Sequence, residues 1–137
     1  MKVFKYNINE NQDFQYVIET EIIENCGEDF IENNVHQPDE DAFYMVATTE
    51  QHNKFMTILF NEEYKDLYEG NAATVIDVTK DVLYNIDKYE NLINYNSDEN
   101  VLLNFFFSYV DKDDVLDKIL ECGIKSLNQF DKEILEA

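Results

Sequence analysis

A single proline and three glycines interrupt a chain of 137 residues. Glycine and proline are the strongest local punctuation, so their scarcity favours long regular elements joined at few turns. The length suits one domain with one core. Apolar residues make up 45% of the chain, and ten Phe and nine Tyr are spread along it. That much apolar surface supports folding without a disulfide or a structural metal, and separates the chain from a disordered acidic tail.

The hydrophobic periodicity places the elements. Lys2–Ile8 alternates Val3, Lys5 and Asn7 on one face with Phe4, Tyr6 and Ile8 on the other, the pattern of a half-buried strand. Phe14, Val17, Ile18 and Ile22 recur at helical spacing, with Gly27 placed to end that helix in left-handed backbone. The same segment also reads as a strand with Phe14, Tyr16, Ile18, Thr20 and Ile22 on one face, and the helix is preferred. Around Pro38, "HQPDED" is a loop. The runs "AFYMVAT" (42–48) and "KFMTILF" (54–60) are rich in strand formers, and the short polar link between them predicts an antiparallel hairpin. Both runs are nearly continuously apolar, so helices are expected to cover at least part of the sheet.

The second half reads as helical. Val75, Val78, Val82, Ile86, Tyr89 and Ile93 repeat at three and four, with Asn71 near the cap. Ser97 precedes a second helix, "DENVLLNFFFSYV". Asp111 and Asp114 open "DDVLDKILECG", which Gly123 closes. Ser126 and Gln129 make a capping-box pattern before "FDKEILEA". The expected class is α+β, a small antiparallel sheet of about three strands packed with a helical C-terminal half.

Charge bounds the function. Thirty acidic residues stand against ten basic ones, a formal net charge of −20, and every basic residue is lysine. Nucleic-acid and phosphate binders rely on arginine forks and a positive footprint, so direct nucleic-acid binding is not expected. Docking on an anionic membrane fails for the same reason. The N-terminal "MKVFKYNINEN" lacks the apolar stretch of a signal peptide. The apolar run at Val101–Val110 is broken by Asn104 and Ser108 and is too short to span a bilayer. A cytoplasmic protein is expected. Cys26 and Cys122 have no CxxC or Cys/His company; two free thiols are the expectation and one disulfide the alternative.

Motifs of chemistry are weak. "DKDD" at Asp111–Asp114 superficially resembles a calcium loop, but Val115 stands where the fifth ligand belongs and Cys122 where the closing glutamate belongs. A helix cap explains these aspartates more simply, and "NSDEN" (96–100) likewise reads as a turn and cap. His36 and His52 flank the first run of the expected hairpin and would suit zinc or iron with Asp39 or Asp41, but the spacing is not that of a metal motif. Exposed loop histidines are expected. No serine elbow is present, and Cys26 lies among Glu24, Glu28 and Asp29, surroundings that suppress thiol reactivity. Thirty acids offer countless carboxylate pairs, which carries no information about glycoside chemistry. No phosphate-binding glycine loop occurs. No cofactor, metal or catalytic residue is expected.

Two features remain. Phe105, Phe106 and Phe107 are consecutive, so in a helix one of them is expected to face away from the core and be free to contact a partner or a dimer mate. A central helix buried on several sides is the competing reading. The other feature is "IIENCGEDFIENN" (22–34), which is dense in carboxylates and free of basic residues. Carboxylates one helical turn apart are about 5–6 Å from each other. That is similar to the spacing of backbone phosphates, so an acidic helix face can imitate a nucleic-acid backbone. The ordered candidates are Glu19, Glu21, Glu24, Glu28, Asp29 and Glu32, joined by Asp39, Glu40 and Asp41, with a second set at Asp111, Asp113, Asp114 and Asp117. Sixteen asparagines would add neutral hydrogen-bonding groups at the rim.

This profile resembles in type the virus-encoded inhibitors of bacterial restriction or CRISPR nucleases. It implies a partner with a basic surface, such as a nucleic-acid-handling protein. The alternative is a structural or adaptor domain that dimerises or assembles through the aromatic helix, its acidity serving solubility. An enzyme with an unrecognised carboxylate site is the third class.

Overall fold

The computed structural model describes residues 1–7, 23–39, 41–59, 74–92 and 98–137. Among these, the chain forms a four-stranded antiparallel sheet packed against a C-terminal helical region. The strands are β1 (Lys2–Asn7), β2 (Val35–His36), β3 (Ala42–Ala47) and β4 (Thr74–Asp77). Their order across the sheet is β2-β3-β1-β4. β1 pairs with β3 from Lys2↔Ala47 to Asn7↔Ala42, and with β4 from Phe4↔Asp77 to Asn7↔Thr74. The two-residue β2 extends the other side of β3 through Val35↔Met45 and His36↔Tyr44.

The period-two pattern of β1 divides the core. On one face Phe4 and Tyr6 join Phe43, Met45 and Ala47. That face is covered by a single turn, α1 (Ile23–Cys26), by α2 (Glu28–Asn34) and by α3 (Thr49–Leu59), through Cys26, Phe30, Ile31 and Phe55. On the other face Val3, Tyr44 and Val46 meet α4 (Thr79–Tyr84), α5 (Val101–Tyr109), α6 (Lys112–Cys122) and α7 (Gln129–Glu136). Both faces of β3 are therefore buried, which is why its sequence is continuously apolar. Each Phe or Leu fully buried in these clusters stabilises the fold by about 1.5–3 kcal/mol.

Three expectations are corrected. The second arm of the expected hairpin is the helix α3 rather than a strand, as far as Leu59. Its start carries a reciprocal cap, in which the Gln51 N–H donates to Thr48 Oγ1 at 3.1 Å and the Thr48 N–H to Gln51 Oε1 at 2.9 Å. The Thr-x-x-Gln spelling of that cap was visible in the sequence and outranks the strand propensity of the run. Second, the repeat that begins at Val75 is not one helix. Val75 belongs to β4 and packs on the first face, whereas Val78, Val82, Ile86 and Tyr89 pack on the second. The spacing joined residues from opposite sides of the sheet. Third, α7 is capped by Asn128 with Asp131, not by Ser126 with Gln129.

Other boundaries follow the sequence. Asp111 and Asp114 form a capping box on α6, and Gly123 ends it at φ 83°. Gly27, at φ 87°, separates α1 from α2. Both glycines hold positive φ values that a side chain would strain. Asn100 caps α5, accepting the Leu102 and Leu103 N–H groups at 3.1 and 3.2 Å. The helix expected over Phe14–Ile22, along with Asn71, Ile93 and Ser97, lies outside the described residues.

Candidate acidic interface

Phe30 and Ile31 turn one side of α2 into the core, and the Asn34 amide donates to the Val46 carbonyl at 2.7 Å. These contacts fix which side of α2 faces solvent. Glu28, Asp29 and Glu32 lie on that side, with Glu24 on α1 before them, and all four are exposed. Glu28 and Asp29 sit in the first turn of α2, where the helix dipole favours them. Glu32 has no such support. The ion pairs among the described residues use Lys80, Lys88 and Lys118, and none of these four carboxylates takes part. From Tyr6 to Asn53 the chain contains twelve carboxylate residues and no lysine. Lys54, the first lysine after that stretch, donates to the Asn25 carbonyl at 3.3 Å.

Asp39 and Asp41 are also exposed. Asp39 shapes the turn into β3, its Oδ1 accepting the Asp41 N–H at 2.8 Å and the Ala42 N–H at 3.1 Å. Glu19, Glu21 and Glu40 lie outside the described residues.

The second acidic set is in the other helical layer. α2 covers the face of Phe4 and Tyr6, and α6 covers the face of Val3 and Tyr44. The two sets are thus separated by the sheet and do not share a helix face. Asp111 and Asp114 bind each other's backbone N–H at 3.0 Å. Burial, with the nearby charge of Asp111, raises the Asp114 carboxyl above its ordinary value. Only Asp113 and Asp117 of this set project as exposed side chains outside the cap.

Neither histidine is an exposed loop residue. His36 is wholly buried on β2, its ring 6.4 Å from that of Tyr44, and neither ring nitrogen has a hydrogen-bond partner among the described residues. Burial pulls its pKa down to about 4. The polar neighbours Gln37 to Asp41 hid this in the sequence, because β2 is only two residues long. His52 lies half-buried on α3, stacked on Phe4 with ring centroids 3.7 Å apart. Its Nδ1 is 2.6 Å from the Tyr6 hydroxyl. Burial lowers the His52 pKa despite the opposing charge of Asp77, and burial raises that of Tyr6. At neutral pH the pair is a phenol hydrogen-bonded to a neutral imidazole.

Sequence reading also missed the buried pair of Lys118 and Asp131. Its signal was present, since Lys118 stands three residues after Val115 on the inward stripe of α6. Both cysteines are free, Cys26 half-buried and Cys122 exposed. Among the described residues no group of three or more His, Cys, Asp or Glu is placed to hold a metal ion. No helix among them is long and apolar enough to cross a membrane.

Comparison with protein-family models, with curated proteins and with solved structures finds no match.

Proposed function

We propose that this protein is an acidic inhibitor that occupies the nucleic-acid-binding surface of a bacterial defence nuclease, of the anti-CRISPR or anti-restriction type. The observation that carries the reading is the exposed carboxylates Glu24, Glu28, Asp29 and Glu32, to which no lysine is paired among the described residues. Glu28 and Glu32, one turn apart on α2, present the charge spacing that a phosphate-binding groove accepts. The long lysine-free stretch around them would steer a basic partner to this side. The second acidic set, across the sheet, is not part of the same contact.

The test is a cleavage assay on purified CRISPR effectors and restriction nucleases, run at low and high salt. Inhibition that DNA or guide RNA competes away, and that salt weakens, is expected. The variant Glu24→Lys/Glu28→Lys/Asp29→Lys/Glu32→Lys should lose it. Undiminished inhibition by that folded variant, or no inhibition by the wild type across the panel, sinks the reading.

The adaptor alternative has one supporting observation. Phe107 and Tyr109 of α5 are 48% and 53% exposed. They are two positions apart, about 200° around the helix, so they do not form one patch. Sedimentation of Phe107→Ser against the wild type checks it, because an aromatic dimer would dissociate.

A further inference from the structure

On α6 the residues that turn inward are Val115 and Lys118. Leu116 and Leu120 point outward, 49% and 84% exposed, and Ile124, just past Gly123, is 70% exposed. Single exposed apolar residues are ordinary. Here Leu116 and Leu120 stand one turn apart on the same helical face, and Ile124 is a further exposed apolar residue in the turn after the helix end. Asp113 and Asp117 border the stripe along one side, about 20° and 60° from Leu120 around the helix axis. The surface thus pairs an apolar stripe with a carboxylate rim.

Beside Leu120 an open groove of roughly 390 Å³ runs between α4 and α6. Leu83, Tyr84 and Leu120 supply its apolar walls, and Asp114, Asp117 and Glu121 its acidic ones. The chain's own side chains demonstrate what the groove accepts. The Lys80 ammonium lies 2.9 Å from Glu121 and 5.2 Å from the centre of the Tyr84 ring. Tyr84 itself donates to Glu121 at 2.7 Å. One ammonium is therefore held by a carboxylate and an aromatic face, while Asp113 and Asp117 have no ion pair among the described residues.

We propose that the outer face of α6, with the groove it forms with α4, binds a cationic amphipathic helix of a partner protein. Apolar residues of that helix would lie on Leu116, Leu120 and Ile124, and a lysine or arginine would enter beside Asp117. The charge decides among occupants. A second copy would bring another −20 and no arginine to an aspartate rim. An anionic lipid surface is repelled in the same way, and an uncharged apolar segment would desolvate the carboxylates without a partner. Only a ligand both basic and apolar along one face satisfies the stripe and the rim together. This surface lies across the sheet from α2 and does not depend on the inhibitor reading.

The experiment uses the full chain and two synthetic peptides of identical composition, built from lysine and leucine with one tryptophan. One peptide is amphipathic as a helix and the other is scrambled. The protein contains no tryptophan, so the peptide indole reports alone. Blue-shifted emission and saturable binding are expected for the amphipathic peptide. The surface variant Leu116→Ser/Leu120→Ser should weaken it by about tenfold or more. Asp113→Asn/Asp117→Asn should flatten the salt dependence, and Glu28→Lys/Glu32→Lys should change affinity by less than about threefold. Backbone amide shifts should fall on α4 and α6. Equal binding of the scrambled peptide, an unchanged affinity in the leucine variant, or shifts confined to α1 and α2 would overturn the proposal. So would a dimer of the protein alone that the leucine variant dissociates, since that makes a second copy the occupant.

Discussion

The Lys118 ammonium stands 2.5 Å from the Asp131 carboxylate, and the two side chains are only 3% and 2% exposed. The same Asp131 Oδ2 accepts the Asn128 N–H at 3.0 Å. One carboxylate thus neutralises a buried ammonium and closes the cap of α7. Removing either partner leaves an uncompensated charge, so Lys118→Met and Asp131→Asn are each expected to cost about 3–5 kcal/mol. The double variant Lys118→Met/Asp131→Asn should cost clearly less than the sum. Urea denaturation in a double-mutant cycle reads this coupling, and strict additivity would contradict it.

Tyr6 is wholly buried and its hydroxyl meets His52 Nδ1 at 2.6 Å. Tyr6→Phe keeps the ring stacked on Phe43 at 4.5 Å but removes the hydroxyl that pairs with His52. The expected loss is about 1–2 kcal/mol at neutral pH. A variant as stable as the wild type would show that this hydrogen bond contributes nothing net.

His36 makes stability depend on pH. Its buried imidazole resists protonation down to about 4, whereas the unfolded imidazole takes its proton near 6.5. The unfolded state therefore binds more protons between those values. Its contribution to stability is complete above the unfolded pKa and is lost progressively as pH falls toward the folded one. The loss across the window is about 3 kcal/mol. Protonation of the many carboxylates acts in both the wild type and His36→Leu, so the difference between the two proteins isolates the imidazole. That difference, from denaturant melts at stepped pH, should change steadily across the window. A constant offset would mean that His36 titrates alike in both states.

The caps can be told apart by alanine. Asp111→Ala and Asn128→Ala each remove a side chain that accepts a helix N–H, and each should cost about 1 kcal/mol. Ser126 caps no part of α7, so Ser126→Ala should stay within about 0.5 kcal/mol of the wild type. Thermal melts of the three variants check the assignment. A large loss in Ser126→Ala with none in Asn128→Ala would reverse it.

Much of the fold was legible where a local signal was sufficient. The alternation of Val3, Phe4 and Tyr6 marked β1, and the unbroken apolar run of β3 marked a strand covered on both sides. Asp111, Asp114 and Gly123 bounded α6 because caps act within a few residues of the backbone groups they satisfy. The α3 run misled because Phe, Met, Thr and Ile suit a strand until the Thr48 cap is weighed. β4 misled because Val75 happens to stand at helical spacing from residues that pack on the other side of the sheet.

By itself the sequence determined the α+β class, the helix ends at Asp111 and Gly123, and a charge of −20 carried without arginine. Only the tertiary structure decided where that charge points. It set Glu28, Asp29 and Glu32 across the sheet from Asp113 and Asp117, committed Asp111 and Asp114 to a cap, and buried His36 and the Lys118–Asp131 pair. The physical reason is one of range. Capping and periodicity are properties of neighbours within a turn or a strand pair, whereas exposure and charge juxtaposition depend on which face of the sheet each helix covers, and that is settled by contacts between residues far apart in the chain.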